Sequence, residues 1–350
     1  MPMIVEGRAK ILTNGIFYNP RMRFCRDLDV LLYSVLEADE YLDALAATGV
    51  RGIRAMLEAN YRAVFNDINP KAVEVIRRNL NLNGLDAEIY NTDANVLMRE
   101  RRFEHIDLDP FGSPSHFIDS ACYSVKKYLS VTATDTAALC GSATRSGLRK
   151  YAMFAVKTDV YHEIGLRALI GFIAREATKY EKVVEVAASW AKEHYYRVHL
   201  KIKKSTAGSA DVYENIGYIF YCKRCFAKVV SPMNGECYER CRCGERYIMI
   251  GPLWLNELKN KDVVKSMYKK ADSTAKKFLE RLCNELDIPT AYNIHDIARS
   301  LKVQSPKINA VIEMLKERGY KASKTHYSGF CIKTDADVNE IKEILLTLNT

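Results

Sequence analysis

The sequence predicts an α/β protein built on a Rossmann-like, doubly wound parallel sheet. Two observations carry that expectation. Between positions 40 and 135 short apolar runs alternate with segments of helical spacing. Successive apolar runs also end on a carboxylate: Asp43, Asp67, Asp93, Asp109 and Asp135. Ligands of open parallel sheets collect beyond the carboxyl ends of the strands, so acids stationed there mark one binding edge. At 350 residues, 48% hydrophobic and 27% charged, the chain can bury one large core or two ordinary ones. It has no run of about 18 apolar residues, and MPMIVEGRAK lacks the apolar centre of a secretory signal. A cytoplasmic protein with no membrane partner is expected.

YLDALA (41–46) opens the strand series, and the glycine-bearing turn DALAATGVRG (43–52) leads into the helical run IRAMLEANY. AVFNDI, EIYNTD, HIDLDPF and LSVTATD read as further strands, with AVEVIRRNLNLNG (72–84) and HFIDSACYSVKKY (116–128) as helices between them. A helix near 162–179 and strands in KVVEVAAS (182–189) and YYRVHLKIKK (195–204) would complete the sheet. STAGSADVYENIG (205–217) reads as a loop, so a boundary is expected between 210 and 211. Beyond it come a cysteine cluster, two amphipathic helical patterns (NIHDIARSLKV and PKINAVIEMLKERG) and two strand-like runs, the order of a winged helix.

The turn after the first strand lacks GxGxxG, whose second glycine admits a pyrophosphate. Asp67 lies at the end of the next strand, where a carboxylate can accept from both hydroxyls of a ribose. A ligand with an adenosine but no pyrophosphate, S-adenosylmethionine, fits this pattern. In NTDAN, Asp93 could accept from an adenine amino group and the Ala94 N–H could reach a ring nitrogen.

IDLDPFGSP (106–114) ends a strand in turn chemistry. The lone pair of an exocyclic amine on a planar base is delocalised into the ring, and an acceptor for its N–H favours the pyramidal, nucleophilic form. Asp109 suits that role, proline fixes the turn, and Phe111 offers a flat face to a flipped base. Asp107 reads as a structural carboxylate.

Ten cysteines include five between 222 and 243. Cys222 and Cys225, with Cys241 and Cys243, have the spacing of a structural Zn(II) site in a reduced protein. The second half is CxCG rather than CxxCG, which leaves Cys237 as a competitor for a ligand position. The net charge of +9 suits a polyanionic partner. Arg145, Arg149 and Lys150, and Arg197, Lys201, Lys203 and Lys204, are the candidate phosphate contacts.

Over most of its length the chain resembles the tRNA guanine N2-dimethyltransferases that modify the guanosine at tRNA position 26. EGRAKI, FYNPRM, RDLDVLL, LDALAATGVRGIRA, FNDINPKAV, NTDAN, DLDPFGSP, GPLW and KASKTH with IKTDA carry the resemblance, in order. It implies a class I S-adenosylmethionine-dependent methyltransferase domain over 1–210. It also implies a smaller C-terminal α+β domain over 211–350, holding the zinc cluster and a winged-helix-like tRNA-binding segment. Arg26, Arg51, Asp67, Asp93 and Ala94 are implied cofactor contacts, and Asp109 with Phe17 and Phe111 the implied base site. The rival expectations are a methyltransferase for another base amine and a non-catalytic tRNA-binding protein on the same scaffold. One or two methyl transfers, modification of a neighbouring guanosine and the oligomeric state are left open by the sequence.

Overall fold

The computed structural model describes residues 3–349. An antiparallel hairpin of β1 (Ile4–Glu6) and β2 (Ala9–Ile11) precedes α1 (Arg23–Tyr33). The alternating region then gives β3 (Glu40–Asp43), α2 (Val50–Ala59), β4 (Arg62–Asn66), α3 (Pro70–Leu82), β5 (Ile89–Tyr90), α4 (Ala94–Glu100), β6 (His105–Leu108), α5 (Ser115–Ser124) and β7 (Tyr128–Ala133). Two short helices, α6 (Thr136–Leu139) and α7 (Thr144–Tyr151), lead to α8 (Tyr161–Thr178) and the long hairpin β8 (Lys182–Lys192) and β9 (Tyr195–Lys204). These strands form one seven-stranded sheet in the order β5-β4-β3-β6-β7-β9-β8, parallel except at β9, which runs antiparallel to both neighbours. The expected doubly wound sheet is therefore present.

Two elements depart from expectation for local reasons. The helical run expected to 128 stops at Ser124 because Val125 turns extended, and the N–H groups of Lys126 and Lys127 bond to the carbonyls of Phe103 and Glu104. That pulls the chain directly into β7. The expected loop at 205–217 contains α9 (Thr206–Asp211), whose N-cap Ser205 accepts the Gly208 N–H at 3.0 Å.

Past α9, β10 (Ile216–Tyr221), β11 (Lys228–Pro232) and β12 (Ile248–Trp254) make a small antiparallel sheet, followed by α10 (Lys261–Lys270) and α11 (Ser273–Asn284). The hydrophobic cores cross the expected boundary at 210 and 211. Ile216, Ile219, Leu253 and Trp254 pack into the core of the large sheet, and Val264, Met267 and Leu279 join the core under α1 and α2. The last part, β13 (Tyr292–Asn293), α12 (Ile294–Leu301), α13 (Ile308–Glu317), β14 (Ala322–Lys324), β15 (Cys331–Thr334) and α14 (Val338–Thr347), has a core of its own and the strand–helix–helix–hairpin order of a winged helix. Among the described residues no helix is long and apolar enough to cross a membrane.

Candidate active site

A cavity of about 750 Å³ opens beyond the carboxyl ends of β3, β4 and β6. Phe17, Arg26, Arg51, Asp67, Asp109 and Phe111 line it, so six of the eight expected cofactor and base residues converge. Asp93 and Ala94 lie outside its lining. Asp93 is exposed and caps α4 by accepting the Asn95 N–H at 2.7 Å, while Ala94 is buried.

The loop between β3 and α2 brings backbone to the Asp67 carboxylate. Ala47 and Gly49 take positive φ, 48° and 79°, and the Ala47 N–H reaches Asp67 Oδ2 at 2.8 Å while the Asn69 N–H reaches Oδ1 at 2.8 Å. Glycine at 52 lets α2 lie against β4, since a Cβ there would meet the Phe65 ring at 2.3 Å. Each oxygen of Asp67 keeps a lone pair for a ligand. Asp43, on the same edge, accepts the Gly52 N–H at 3.0 Å, and burial, reinforced by the nearby Asp107 charge, pushes its carboxyl up to about 7.

Arg26 and Arg51 occupy the cavity wall already partnered. Arg26 grips Glu6 through Nε and Nη2, both at 2.6 Å, and Glu6 also accepts from Arg54 at 3.0 Å and from the Tyr18 hydroxyl at 2.6 Å. Burial alone would raise the Glu6 carboxyl, but Arg26, Tyr18 and Arg54 bring it down to about 2. Arg51, buried at the start of α2, donates from Nε to Oδ2 of Asp109 at 2.8 Å with Nη2 in ion-pair contact with that oxygen at 2.7 Å, and its Nη1 pairs with Asp29.

Asp107 and Asp109 divide between the interior and the cavity. Asp107 is buried, holding Arg197 with both oxygens at 2.8 and 2.7 Å and accepting from Tyr41 at 2.7 Å and from Tyr33. The Asp109 side chain is 25% exposed and faces the cavity. Phe17 and Phe111 are 60% and 91% exposed, far from the burial of a core anchor. Their rings meet edge to face with centroids 5.8 Å apart.

The basic runs need correction. Arg197 is fully buried in the ion cluster with Asp107 and Asp29, because β9 lies in the sheet beside β7 and pairs Arg197 with Thr132 near the carboxyl end of that strand. Lys201, Lys203 and Lys204 lie at the opposite end of the sheet from the cavity: Tyr196 pairs with Ala133 at the carboxyl end of β7, whereas Lys201 pairs with Tyr128 at its start. Lys203 is engaged by Glu185 at 2.5 Å. Lys150 bonds Asp135 at 3.0 Å, which leaves Arg145 and Arg149 exposed on α7. His116, in the first turn of α5, and His194, at the tip of the β8–β9 hairpin, also line the cavity. Neither belongs to a spacing pattern that sequence reading could detect.

On the small sheet, the sulfurs of Cys222, Cys225, Cys241 and Cys243 all lie within 4.8 Å of one another, with Cys222 to Cys243 at 3.5 Å and Cys225 to Cys241 at 3.4 Å. Cys237 is exposed and outside the group.

A seven-stranded sheet of this order, with its ligand cavity at the parallel carboxyl ends and an Asp-Pro-Phe-Gly turn on the wall, is that of a class I methyltransferase. The chain belongs to the N2,N2-dimethylguanosine tRNA methyltransferase family, whose model matches residues 3–346. It is 58% identical over 342 residues to a tRNA (guanine(26)-N(2))-dimethyltransferase of Archaeoglobus fulgidus, with 98% of each chain covered. The Pyrococcus horikoshii enzyme of the same description is 38% identical over 374 residues, with 95% of each covered. The solved complex of Trm1 from Pyrococcus horikoshii with S-adenosyl-L-methionine matches with a TM-score of 0.90 at 38% identity, over 99% of this chain and 100% of that one.

Proposed function

We propose that this protein transfers one or two methyl groups from S-adenosylmethionine to the exocyclic N2 of guanosine 26 in tRNA. The observation that carries the reading is the convergence on one cavity of the Asp67-braced loop, the free edge of Asp109 and two exposed phenyl rings, in a member of this family. The residues present fit the cofactor. Asp67 has acceptor capacity left for ribose hydroxyls, and the left-handed turn at Ala47 and Gly49 exposes backbone to the ligand. Arg26 and Arg51 border the same space, and Asp93 and Ala94 would complete the adenine side from beyond its lining.

When bound, S-adenosylmethionine would supply an electrophilic methyl group, its C–S bond breaking to leave S-adenosylhomocysteine, with a fresh molecule needed for each transfer. Phe17 and Phe111 part and stack the flipped guanine, and Asp109 Oδ1 accepts an N–H of its amine. That bond favours a pyramidal nitrogen with an available lone pair and offsets the positive charge developing as the new C–N bond forms. Asp109 then takes the proton the nitrogen releases and, being partly exposed, passes it to water. A second transfer repeats these steps on the remaining N–H.

The four clustered thiols suit Zn(II). Tetrahedral Zn–S bonds of about 2.3 Å place sulfurs roughly 3.8 Å apart, close to the spacing found, and four thiolates leave no open position for a reacting water. The metal would be structural, tying the Cys222–Cys225 turn to the Cys241–Cys243 turn. The C-terminal part from 211, with its winged-helix-like segment, is the proposed tRNA-holding part, together with Arg145 and Arg149, exposed on α7.

Nucleoside mass spectrometry after incubation of unmodified tRNA with the protein and labelled cofactor tests the reading. N2-methylated guanosine should appear in wild-type tRNA and vanish when guanosine 26 is replaced. Methyl label on adenosine, or no incorporation at all, would overturn it.

A further inference from the structure

The Asp109 carboxylate is the outer end of a buried chain of alternating charge. Arg51 donates from Nε to Asp109 Oδ2 at 2.8 Å, keeps Nη2 in ion-pair contact with the same oxygen at 2.7 Å, and pairs with Asp29 through Nη1. Asp29 in turn holds Arg197, whose Nε lies 3.0 Å from its Oδ1, and Arg197 closes on Asp107. Cys25 and His199 also face Asp29, at 3.8 and 3.1 Å. His199 is held low, at about 4, by burial and the Arg197 charge, so it stands neutral beside the ion chain. The inner members come from α1, α2, β6 and β9, and each is at most 5% exposed.

Both of these Arg51 nitrogens, Nε and Nη2, lie against the same oxygen of Asp109. A fork-shaped guanidinium held from behind by a second carboxylate cannot swing, so it fixes the plane of the carboxylate it grips. Oδ1 takes neither bond. A carboxylate at a cavity edge that was free to rotate would lose the aim that an acceptor of a single N–H requires, and small misplacements of reacting groups are costly to turnover.

We propose that Arg51, Asp29 and Arg197 are positioning residues for the acceptor: they pin Oδ2 of Asp109 so that Oδ1 faces the guanine amine. This assignment rests on the proposed role of Asp109. It gives Arg51 a purpose beyond bordering the cofactor, and it gives the buried Asp29 and Arg197 a purpose beyond stability.

The test uses the full-length protein, unmodified tRNA and the variants Arg51→Lys and Asp29→Asn, with kcat and the KM for S-adenosylmethionine measured separately. Lysine keeps the charge but has no planar fork that can touch Asp109 and Asp29 from separate nitrogens, and Asn keeps the shape of Asp29 without its charge. Both should lower kcat by roughly 10- to 100-fold, while in Asp29→Asn, whose side chain lies behind the cavity wall, the cofactor KM moves by less than about threefold. In an Asp109→Ala background, measured by single turnover, Asp29→Asn should cost nothing further. A raised cofactor KM with unchanged kcat in Arg51→Lys would overturn the assignment. So would an undiminished effect of Asp29→Asn after Asp109 is gone. If Asp29→Asn does not fold, the kcat-against-KM split of Arg51→Lys decides alone. A wild-type rate in Asp109→Ala would instead bring down the acceptor reading itself, which keeps the two failures distinct.

Discussion

Asp107 and Asp109 are two residues apart and chemically identical, yet one is sealed against Arg197, Tyr33 and Tyr41 while the other opens onto the cavity. The difference comes from where β6 ends: Leu108 is its last residue, so Asp109 already belongs to the turn. Phe17 and Phe111 carry the residue-scale prediction. Base–aromatic stacking is worth about 1–3 kcal/mol per base, so replacing either ring by Ala should slow methylation by roughly 5- to 150-fold. Overall tRNA affinity should barely change, because it rests on many phosphate contacts. Leu should restore only part of the rate, and wild-type rates for both Leu variants under subsaturating tRNA would assign the rings to packing. Asp67 and Asp109 were legible in the sequence because strand-end acids follow from alternation and turn chemistry. Phe17 and Arg26 were reachable only through resemblance, since a lone Phe before a turn and a lone Arg in a helix have bland explanations. Asp29 and Arg197 were invisible as partners: their pairing joins positions 168 residues apart, and the basic run around Arg197 looks like a solvated face.

The β1–β2 hairpin matters to the cavity through one side chain, Glu6, which gathers Arg26, Arg54 and Tyr18. Its carboxyl lies at about 2 against an ordinary 4.5, so the folded state binds the proton less tightly than the unfolded chain does. The stability it contributes is therefore present above pH 4.5 and is lost as pH falls toward 2. Glu6→Gln should weaken the protein at neutral pH by about 3–5 kcal/mol, the cost of stranding buried guanidinium groups. It should also shrink the loss of stability between pH 4.5 and 2, as followed by denaturant melts across that range; an unchanged pH dependence would place the acid sensitivity elsewhere. At this scale the parallel strands and their helices were readable from periodicity, whereas α9 was hidden. Its Ser205 cap lies in a Ser, Gly and Ala-rich stretch whose composition resembles a loop. The boundary at 210 and 211 was drawn from that loop reading, and the packing of the large core runs onward into β10 and β12.

Across the whole molecule, the chain just past the first cysteine turn links the segment leading into α8 to the separately cored winged-helix part. Lys228, just past the first cysteine turn, bonds Asp159 at 2.8 Å and the Ala291 carbonyl at 2.7 Å, and Phe226 packs against both cores. Metal analysis should find about one equivalent of zinc. Its removal by a chelator should release amide-exchange protection around 216–254 before the large sheet loosens. Absence of metal, with all four thiols freely titratable in the native protein, would count against the site. The account as a whole stands on Asp109 as the group that receives the guanine amine, and Asp109→Ala measures this most directly. Cofactor affinity, read by calorimetry, should stay near wild type, while single-turnover methylation of unmodified tRNA falls by on the order of 100-fold or more. A variant that methylates at close to the wild-type rate, or one that loses cofactor binding in proportion to its rate, would contradict it.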